Sequence, residues 1–245
     1  MEMNEEQLFE AIKNSDIEKF KLLVGNGANV NAWIKLISED SHHTPLTLAS
    51  DKGHLEIVKY LVEKGADINA GGSLISDALM YSVIKGHLEI VKYLIKHGAN
   101  GIHQALCLAS MNGYFEIVKY LVESGAIDIG VLYLALINTT NNGNLEIVKY
   151  LVEKMENIFS KGVDINKEIK SLFIEFYRTN DYSLNEAYTY PIITAVRHGH
   201  LEILKYFIEE KGANINASTI IITRSSAFDK RTTFLVEAAR GWNLE

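Results

Sequence analysis

The chain has very little cysteine, proline or tryptophan, and each shortage narrows the class of protein. Its 245 residues include one Cys, two Pro and two Trp. A single cysteine, Cys107, cannot close an internal disulfide, which fits a reducing compartment, and its apolar neighbours indicate a buried structural thiol. The two prolines, Pro45 and Pro191, stand at equivalent helix-start positions, where a missing N–H costs nothing.

Long apolar runs and excess positive charge are also absent. No run reaches the length of a transmembrane helix, and residues 1–6 are acidic, so no secretory signal peptide is expected. The net charge of −7 argues against a nucleic-acid or anionic-membrane surface. We expect a cytoplasmic monomer that binds neither membrane nor nucleic acid.

Known catalytic motifs are missing as well. The sequence contains no Gly-rich phosphate loop, no Cys-X-X-Cys, no His-Glu-X-X-His and no Gly-X-Ser-X-Gly. The adjacent His42 and His43 could supply at most two metal ligands, and we interpret them as part of a solvated loop. We therefore expect no enzymatic activity, no cofactor and no metal site.

What the sequence does contain is a repeat. The stretch from Gly53 to Asn69 returns almost unchanged from four later glycines, and a weaker copy spans residues 15–31; the later copies start at Gly86, Gly113, Gly143 and Gly199. Such self-similarity predicts a solenoid of stacked units.

Each unit reads as two helices joined at a glycine. In the second helix Leu55, Val58 and Leu61 share one face, and Gly65 suits a left-handed C-terminal cap. The first helix carries a small residue that allows close packing, with Ser82 in one copy and alanine at 11, 49, 109, 135, 195 and 238. We interpret the residue before each second helix as a local helix-start residue; it is His54, His87 or His200 in three copies and Asp16, Tyr114, Asn144 or Asn243 in the others.

Thr-Pro-Leu at 44–46, Ala49, Gly-His-Leu-Glu-Ile-Val at 53–58 and Gly-Ala-Asp-Ile-Asn at 65–69 together resemble the ankyrin repeat. The resemblance implies an all-α ankyrin-repeat solenoid with loop or β-like fingers. Thr47 stands where the family usually has a histidine. The resemblance therefore does not carry over the hydrogen-bond network that this histidine makes in the family. The Leu-Glu-Ile-Val-Lys-Tyr-Leu-Val motif of the second helices is similar to that of ankyrin proteins of giant viruses and intracellular bacteria. Such an origin would place the protein in a host-cell cytoplasm.

We predict a single domain of about six repeats and a C-terminal half-repeat, at residues 8–31, 44–69, 77–100, 104–129, 132–166, 189–216 and 232–245. The finger at 32–43 is expected to be β-like. The fifth repeat shows an insertion in its turn, Thr139–Asn142, and a second helix lengthened by about two turns. An additional amphipathic helix is predicted at 167–178, and the sixth repeat reads as regular to residue 216.

The resemblance also implies a function, that of a non-catalytic scaffold that binds a protein partner through the concave face of the solenoid. Ankyrin proteins commonly hold partners through the two residues before each turn glycine and through the fingers, which here are Asp51, Lys52, Ile84, Lys85, Met111, Asn112, Arg197, His198 and Trp33. The apolar Ile84 and Met111 would form the centre, and the positive Lys52, Lys85 and Arg197 suggest an acidic partner segment. The alternative is the targeting portion of a larger effector or enzyme that extends beyond residue 245.

Overall fold

A computed structural model describes residues 2–35, 42–71, 77–158, 191–211, 218–221 and 230–233. Within these ranges the chain is mostly helical, as predicted. The helices are α1 Glu2–Lys13, α2 Ile17–Gly25, α3 Pro45–Lys52, α4 Leu55–Glu63, α5 Ala78–Ile84, α6 Leu88–Lys96, α7 Ile102–Asn112, α8 Phe115–Glu123, α9 Ile129–Asn141, α10 Leu145–Ile158, α11 Pro191–Arg197 and α12 Leu201–Lys205, which continues as the π-helix Tyr206–Glu210.

Short strands lie in two connections. β1 (Ile34–Lys35) pairs antiparallel with β2 (His42–His43), and β3 (Ser218–Ile221) pairs antiparallel with β4 (Lys230–Thr233). The first pair confirms the predicted β-like finger. The strands leave the helical repeat architecture unchanged.

The chain divides into two compact units. The first comprises Met1–Ala109 and Glu116–Ala126, and the second comprises Ser110–Phe115 and Ile127–Glu245. In the first unit α1, α3 and α5 pack in sequence against one another, and each also packs on the helix that follows it. In the second unit α9 packs on α10 and α11, and α11 packs on α12. The same helix–turn–helix unit therefore recurs in both.

The first helix of the second repeat, α3, is buried along most of its length. Every residue of α3 from Pro45 to Ser50 is buried. Thr44 and Thr47 form a reciprocal cap: the Thr47 N–H donates to Thr44 Oγ1 at 3.2 Å, and the Thr44 N–H donates to Thr47 Oγ1 at 2.8 Å. Two orphan donors at the helix start are thereby satisfied, so Thr47 supplies a network where the family usually has histidine.

The second helix is amphipathic, as its pattern predicted. In α4 the side chains of Ile57, Val58 and Leu61 are buried. On the exposed side Lys59 Nζ lies 2.8 Å from Glu56 Oε1. Such an i,i+3 pair contributes only about 0.2–0.5 kcal/mol, so packing of the apolar face stabilises this helix.

The predicted turn insertion of the fifth repeat is wrong. Thr139–Asn141 belong to α9, which is continuous over 13 residues against 8 in α3. The Asn144 N–H donates to the Thr139 carbonyl, just as the His54 N–H donates to the Ala49 carbonyl. Thr139, and not Ala135, is therefore the counterpart of Ala49. Ala135 and Thr139 are both fully buried and lie one helical turn apart. The extra residues of α9 therefore lengthen the helix at its start.

The second helix of the fifth repeat is longer than the others, as predicted. α10 has 14 residues where α4 has 9, and its buried face continues to Met155. The predicted helix at 167–178 lies outside the described residues, as does most of the predicted half-repeat, of which Thr232 and Thr233 lie in β4.

The sixth repeat is not regular. Gly212 follows Leu201 by 11 positions, whereas Gly65 follows Leu55 by 10. The residues Tyr206–Glu210 form a π-helix, the wider turn that accommodates an additional residue inside a helix. Lys211 Nζ then contacts Glu156 Oε2 at 2.7 Å, and Lys149 Nζ contacts Glu210 Oε1 at 3.0 Å. These pairs join the turn to α10.

Ser15 occupies a left-handed backbone position, with φ at 56°, that is glycine in the other repeats. A Cβ in this conformation costs about 1–2 kcal/mol. We expect the free energy of unfolding of Ser15→Gly to be about 1 kcal/mol higher than that of Ser15→Ala. Both variants lose the hydroxyl, but only alanine keeps the strained Cβ. Urea denaturation of the two variants checks this, and equal midpoints would contradict it.

None of the helices that the structure describes is both long enough and apolar enough to span a membrane.

Candidate interaction surface

The predicted binding residues lie at or just beyond the C-terminal ends of the first helices. α3 ends with Asp51 and Lys52, α5 ends with Ile84 and is followed by Lys85, α7 ends with Met111 and Asn112, and α11 ends with Arg197, followed by His198. Asp51 and Ile84 are partly buried, and the other side chains are exposed. The turn glycine that follows each pair keeps these positions at a helix end.

In the first unit three charged groups meet at this position. Asp51 Oδ2 lies 2.9 Å from Lys52 Nζ, and Asp51 Oδ1 lies 3.6 Å from Lys85 Nζ. The Asp51 side chain is only 11% exposed, whereas the lysines are 42% and 50% exposed. One carboxylate is thus shared by lysines of two successive repeats, and the local positive charge is smaller than a count of lysines suggests.

The two apolar residues expected at the centre differ in exposure and in unit. Ile84 belongs to the first unit and is half-buried. Met111 belongs to the second unit, and 52% of its surface is exposed. On the finger of the first unit, Trp33 is 48% exposed beside β1. An apolar side chain of this size in water is the kind of residue that anchors a partner.

The residues before the second helices do more than start them. His87 Nε2 lies 3.2 Å from the Asp51 carbonyl oxygen, and His200 Nε2 lies 3.0 Å from that of Asn141. Neither imidazole caps its own helix. The interpretation as local helix-start residues is confirmed in position, since His87 and His200 are the N-cap residues of their helices, but it missed the contact that their side chains make. Each histidine joins its repeat to the preceding one, and we call this contact the imidazole clasp.

Two constraints require glycine at these turns, the backbone conformation and the clasp. Gly53 has φ of 77°, where a Cβ is strained. A Cβ on Gly53 would also lie 2.7 Å from His87 Cε1, and one on Gly143 would lie 2.8 Å from His200 Cε1. In the fifth repeat Asn144 takes the place of the histidine, and a Cβ on Gly113 would lie 2.8 Å from Asn144 Nδ2. Glycine thus permits both the turn and the approach of the next repeat.

In the second repeat the equivalent histidine, His54, contacts the Ser15 hydroxyl. Ser15 Oγ lies 3.4 Å from His54 Nδ1, so the hydroxyl faces the ring where other repeats have a bare glycine. Burial lowers the pKa of His54, because desolvation disfavours the imidazolium.

The lowered pKa gives His54 a signature in acid. Its contribution to stability is present above the unfolded value of about 6.5 and is lost as pH falls through the folded pKa. We expect the wild-type unfolding free energy to decrease more between about pH 7 and pH 5 than that of His54→Asn, the residue that Asn144 supplies in the fifth repeat. If the urea midpoints of the wild type and His54→Asn change equally with pH, the prediction that His54 destabilises the fold in acid is contradicted.

A second set of bridges, from asparagine side chains to the backbone of the next repeat, was missed at the sequence level. Asn31 Oδ1 accepts the Asp67 N–H at 2.8 Å, and Asn69 Oδ1 accepts the Asn100 N–H at 2.8 Å. The same side chains donate through Nδ2 to the carbonyls of Gly65 and Gly98, at 3.3 and 3.2 Å. The recurring Gly-Ala-Asp-Ile-Asn ending was the available signal, since two-sided bonding by asparagine explains why it recurs.

The solvated-loop interpretation is wrong for His43. The residue is buried, its ring centroid lies 4.9 Å from that of Tyr81, and Nδ1 lies 3.4 Å from Thr47 Oγ1. The signal lay in the next repeat, where Tyr81 provides the covering ring. His43 thus packs in the core, although the strand that carries it belongs to the finger.

The single thiol of the chain, Cys107, is not activated. Cys107 is half-buried, less than expected, and burial raises the pKa of its thiol, which disfavours the thiolate. In the described ranges no three His, Cys, Asp or Glu side chains are grouped as metal ligands.

Comparison with known proteins gives a consistent result. A model of three ankyrin repeats matches residues 2–72 and 73–133, and a model of a single ankyrin repeat matches residues 189–220. No curated protein sequence matches the chain. Ankyrin repeats generally mediate protein–protein interactions and are typically non-catalytic. The family matches cover more than half of the sequence, and the chain belongs to the ankyrin-repeat family.

Proposed function

We propose that the protein is a non-catalytic scaffold that binds a protein partner through the C-terminal ends of its first helices and through its fingers. The observation that carries the proposal is a contrast between neighbouring positions. The residue pairs before the turn glycines differ from repeat to repeat, namely Asp-Lys, Ile-Lys, Met-Asn, Asn-Asn and Arg-His, and most of their side chains are exposed. The buried residues around them are nearly constant.

Packing explains the constant residues, but it does not explain the variable ones. Buried positions must refill the same space in each repeat, so their volumes repeat. Exposed positions make no such demand and are free to complement a partner. An exposed methionine at one of them, Met111, supports a desolvated contact, because unbranched Met adapts to varied apolar surfaces.

Charge supports an acidic segment in the partner. The chain carries −7 overall, yet Lys52, Lys85 and Arg197 place positive side chains at the helix ends. Asp51 offsets part of that charge in the first unit. The attraction should therefore affect mainly the association rate and its salt dependence, as expected for charges at an interface rim.

Two matched variants test the surface. We expect Met111→Glu to weaken binding about tenfold or more, because a central contact is commonly worth 1–2 kcal/mol or more. Leu201→Glu is the control: it lies in the same unit, is 49% exposed against 52%, and starts a second helix. Partner proteins captured by the wild type are quantified by mass spectrometry with each variant, and thermal unfolding confirms the fold.

The double variant Ile84→Glu with Met111→Glu extends the test to the first unit. We expect it to lose the captured partner while its unfolding temperature stays close to that of the wild type. Equal capture by the folded double variant and the wild type would contradict a role for the helix ends and would leave the finger around Trp33 as the remaining proposed surface.

A further inference from the structure

Asparagine followed by glycine occurs at four places in this chain: 26–27, 100–101, 112–113 and 142–143. All four asparagines are exposed. This dipeptide is prone to spontaneous deamidation, because glycine has no side chain to hinder attack by its own nitrogen on the asparagine side chain. We infer that the pair Asn100–Gly101 is the preferred site of this modification, because the fold commits the reacting atoms at the other three pairs.

At those three pairs the glycine nitrogen is held in a helix-end hydrogen bond. The Gly27 N–H donates to the Val24 carbonyl at 3.0 Å, the Gly113 N–H to Ser110 at 3.4 Å and the Gly143 N–H to Thr140 at 3.2 Å. Attack requires this nitrogen to lose its proton and turn toward the side chain. A helix end must therefore open before these pairs can react.

Backbone geometry adds a second restraint at two of them. Asn26 and Asn142 have ψ of 9° and 0°, so the glycine nitrogen eclipses the backbone nitrogen of its own asparagine. Closure of a five-membered ring requires that nitrogen to eclipse Cβ instead. At Asn142 the side-chain Nδ2 is also engaged, because it donates to the Met111 carbonyl.

Asn100 and Gly101 lie between α6 and α7, outside both helices. Across the residues that the structure describes, no acceptor receives the Gly101 N–H, and the Asn100 side-chain amide makes no hydrogen bond. The backbone N–H of Asn100 does donate, to Asn69 Oδ1 at 2.8 Å, but that atom takes no part in the reaction. The Asn100 side chain is thus exposed, and among the described residues neither reacting group is committed to a hydrogen bond.

The chemistry needs only water and a base from the solvent. Base removes the Gly101 N–H proton, the nitrogen attacks Asn100 Cγ, and the Cγ–Nδ2 bond breaks as ammonia leaves with a proton. The resulting succinimide then adds water at one of its two carbonyls, which gives aspartate or isoaspartate at position 100. The rate should rise with pH, because the attacking species is the deprotonated nitrogen.

The two products differ in structural effect. Aspartate is the residue that Asp67 provides at the equivalent place of the preceding repeat, so it is compatible with the fold. Isoaspartate routes the main chain through Cβ and Cγ and inserts one methylene group between the bridge to Asn69 and the start of α7. That product should loosen the connection between α6 and α7.

Timed incubation of the full chain at neutral to mildly alkaline pH tests the inference, with digestion in mild acid and peptide mass spectrometry. The net strength of one backbone hydrogen bond corresponds to about a tenfold factor. We therefore expect Asn100 to convert at least about tenfold faster than Asn26, Asn112 or Asn142. In denaturant the four rates should converge, which would show that the fold sets the difference.

The variant Asn100→Gln serves as the control, since its longer side chain disfavours ring closure. It should remove the fast phase of deamidation and leave the other three rates unchanged. Gly101→Ala is unsuitable, because a Cβ there would lie 2.9 Å from Met80 Cε. Equal rates at all four sites in the folded protein, or faster conversion at another site, would overturn the inference.

Discussion

Gly53→Ala is expected to lower the free energy of unfolding by about 2–3 kcal/mol. The left-handed backbone accounts for about 1–2 kcal/mol of this loss. The remainder comes from the imidazole clasp, because the new Cβ would lie 2.7 Å from the His87 ring and would displace it from the Asp51 carbonyl. A hydrogen bond of this kind is worth about 1 kcal/mol. Urea denaturation followed by circular dichroism measures the loss.

Gly65→Ala provides the matched control. Its φ is 84°, yet no atom lies within 4 Å of a Cβ built there, so only backbone strain of about 1–2 kcal/mol is expected. With His87→Ala as background, Gly53→Ala should cost no more than Gly65→Ala. If the cost of Gly53→Ala is unchanged in that background, the clasp contributes nothing and the glycine serves the turn alone.

Phe20→Ala is expected to have the largest effect of the substitutions considered, about 3–5 kcal/mol, as for other buried phenylalanines. Phe20 is fully buried in α2, and its ring meets Tyr60 of the next repeat edge-on, with centroids 6.0 Å apart at 76°. Aromatic pairs in this geometry add about 0.5–1.5 kcal/mol beyond area burial. The substitution therefore removes both core volume and a contact between repeats.

The loss should be local, because repeat arrays are stabilised by neighbour contacts. Hydrogen exchange should show lost protection in α1 and α2 and retained protection in α5 and α6. Leu22→Ala is the control on the same helix: Leu22 is 64% exposed, and its removal should change stability by less than about 0.5 kcal/mol. Loss of protection over the whole first unit would contradict a local effect.

Features with local causes could be predicted from the sequence. The apolar face of α4, the left-handed turn glycines and the long α10 each follow from residues within one or two helical turns of one another. The binding residues could be placed at helix ends for the same reason. Whether they bind a partner remains a prediction, since it depends on a molecule outside the chain.

The features that could not be predicted depend on neighbouring repeats. The match of Thr139 to Ala49 is an exception, because each stands four residues before its turn glycine, and this spacing was a signal that the sequence offered. The burial of His43 requires Tyr81, and the role of His87 requires the Asp51 carbonyl. The extra residue after Leu201 was visible in the sequence, but a longer loop would have explained it as well as the π-helix does.

The imidazole clasp also bears on how such a gene can grow. The dipeptide Gly-His occurs at 53–54, 86–87 and 199–200. Gly53 leaves room for His87 of the following repeat, and His87 and His200 each reach a carbonyl of the preceding repeat. A duplication of a repeat that carries Gly-His, by unequal recombination, would therefore copy the glycine and the histidine together. The new junction between two such copies would be complementary without compensating mutations.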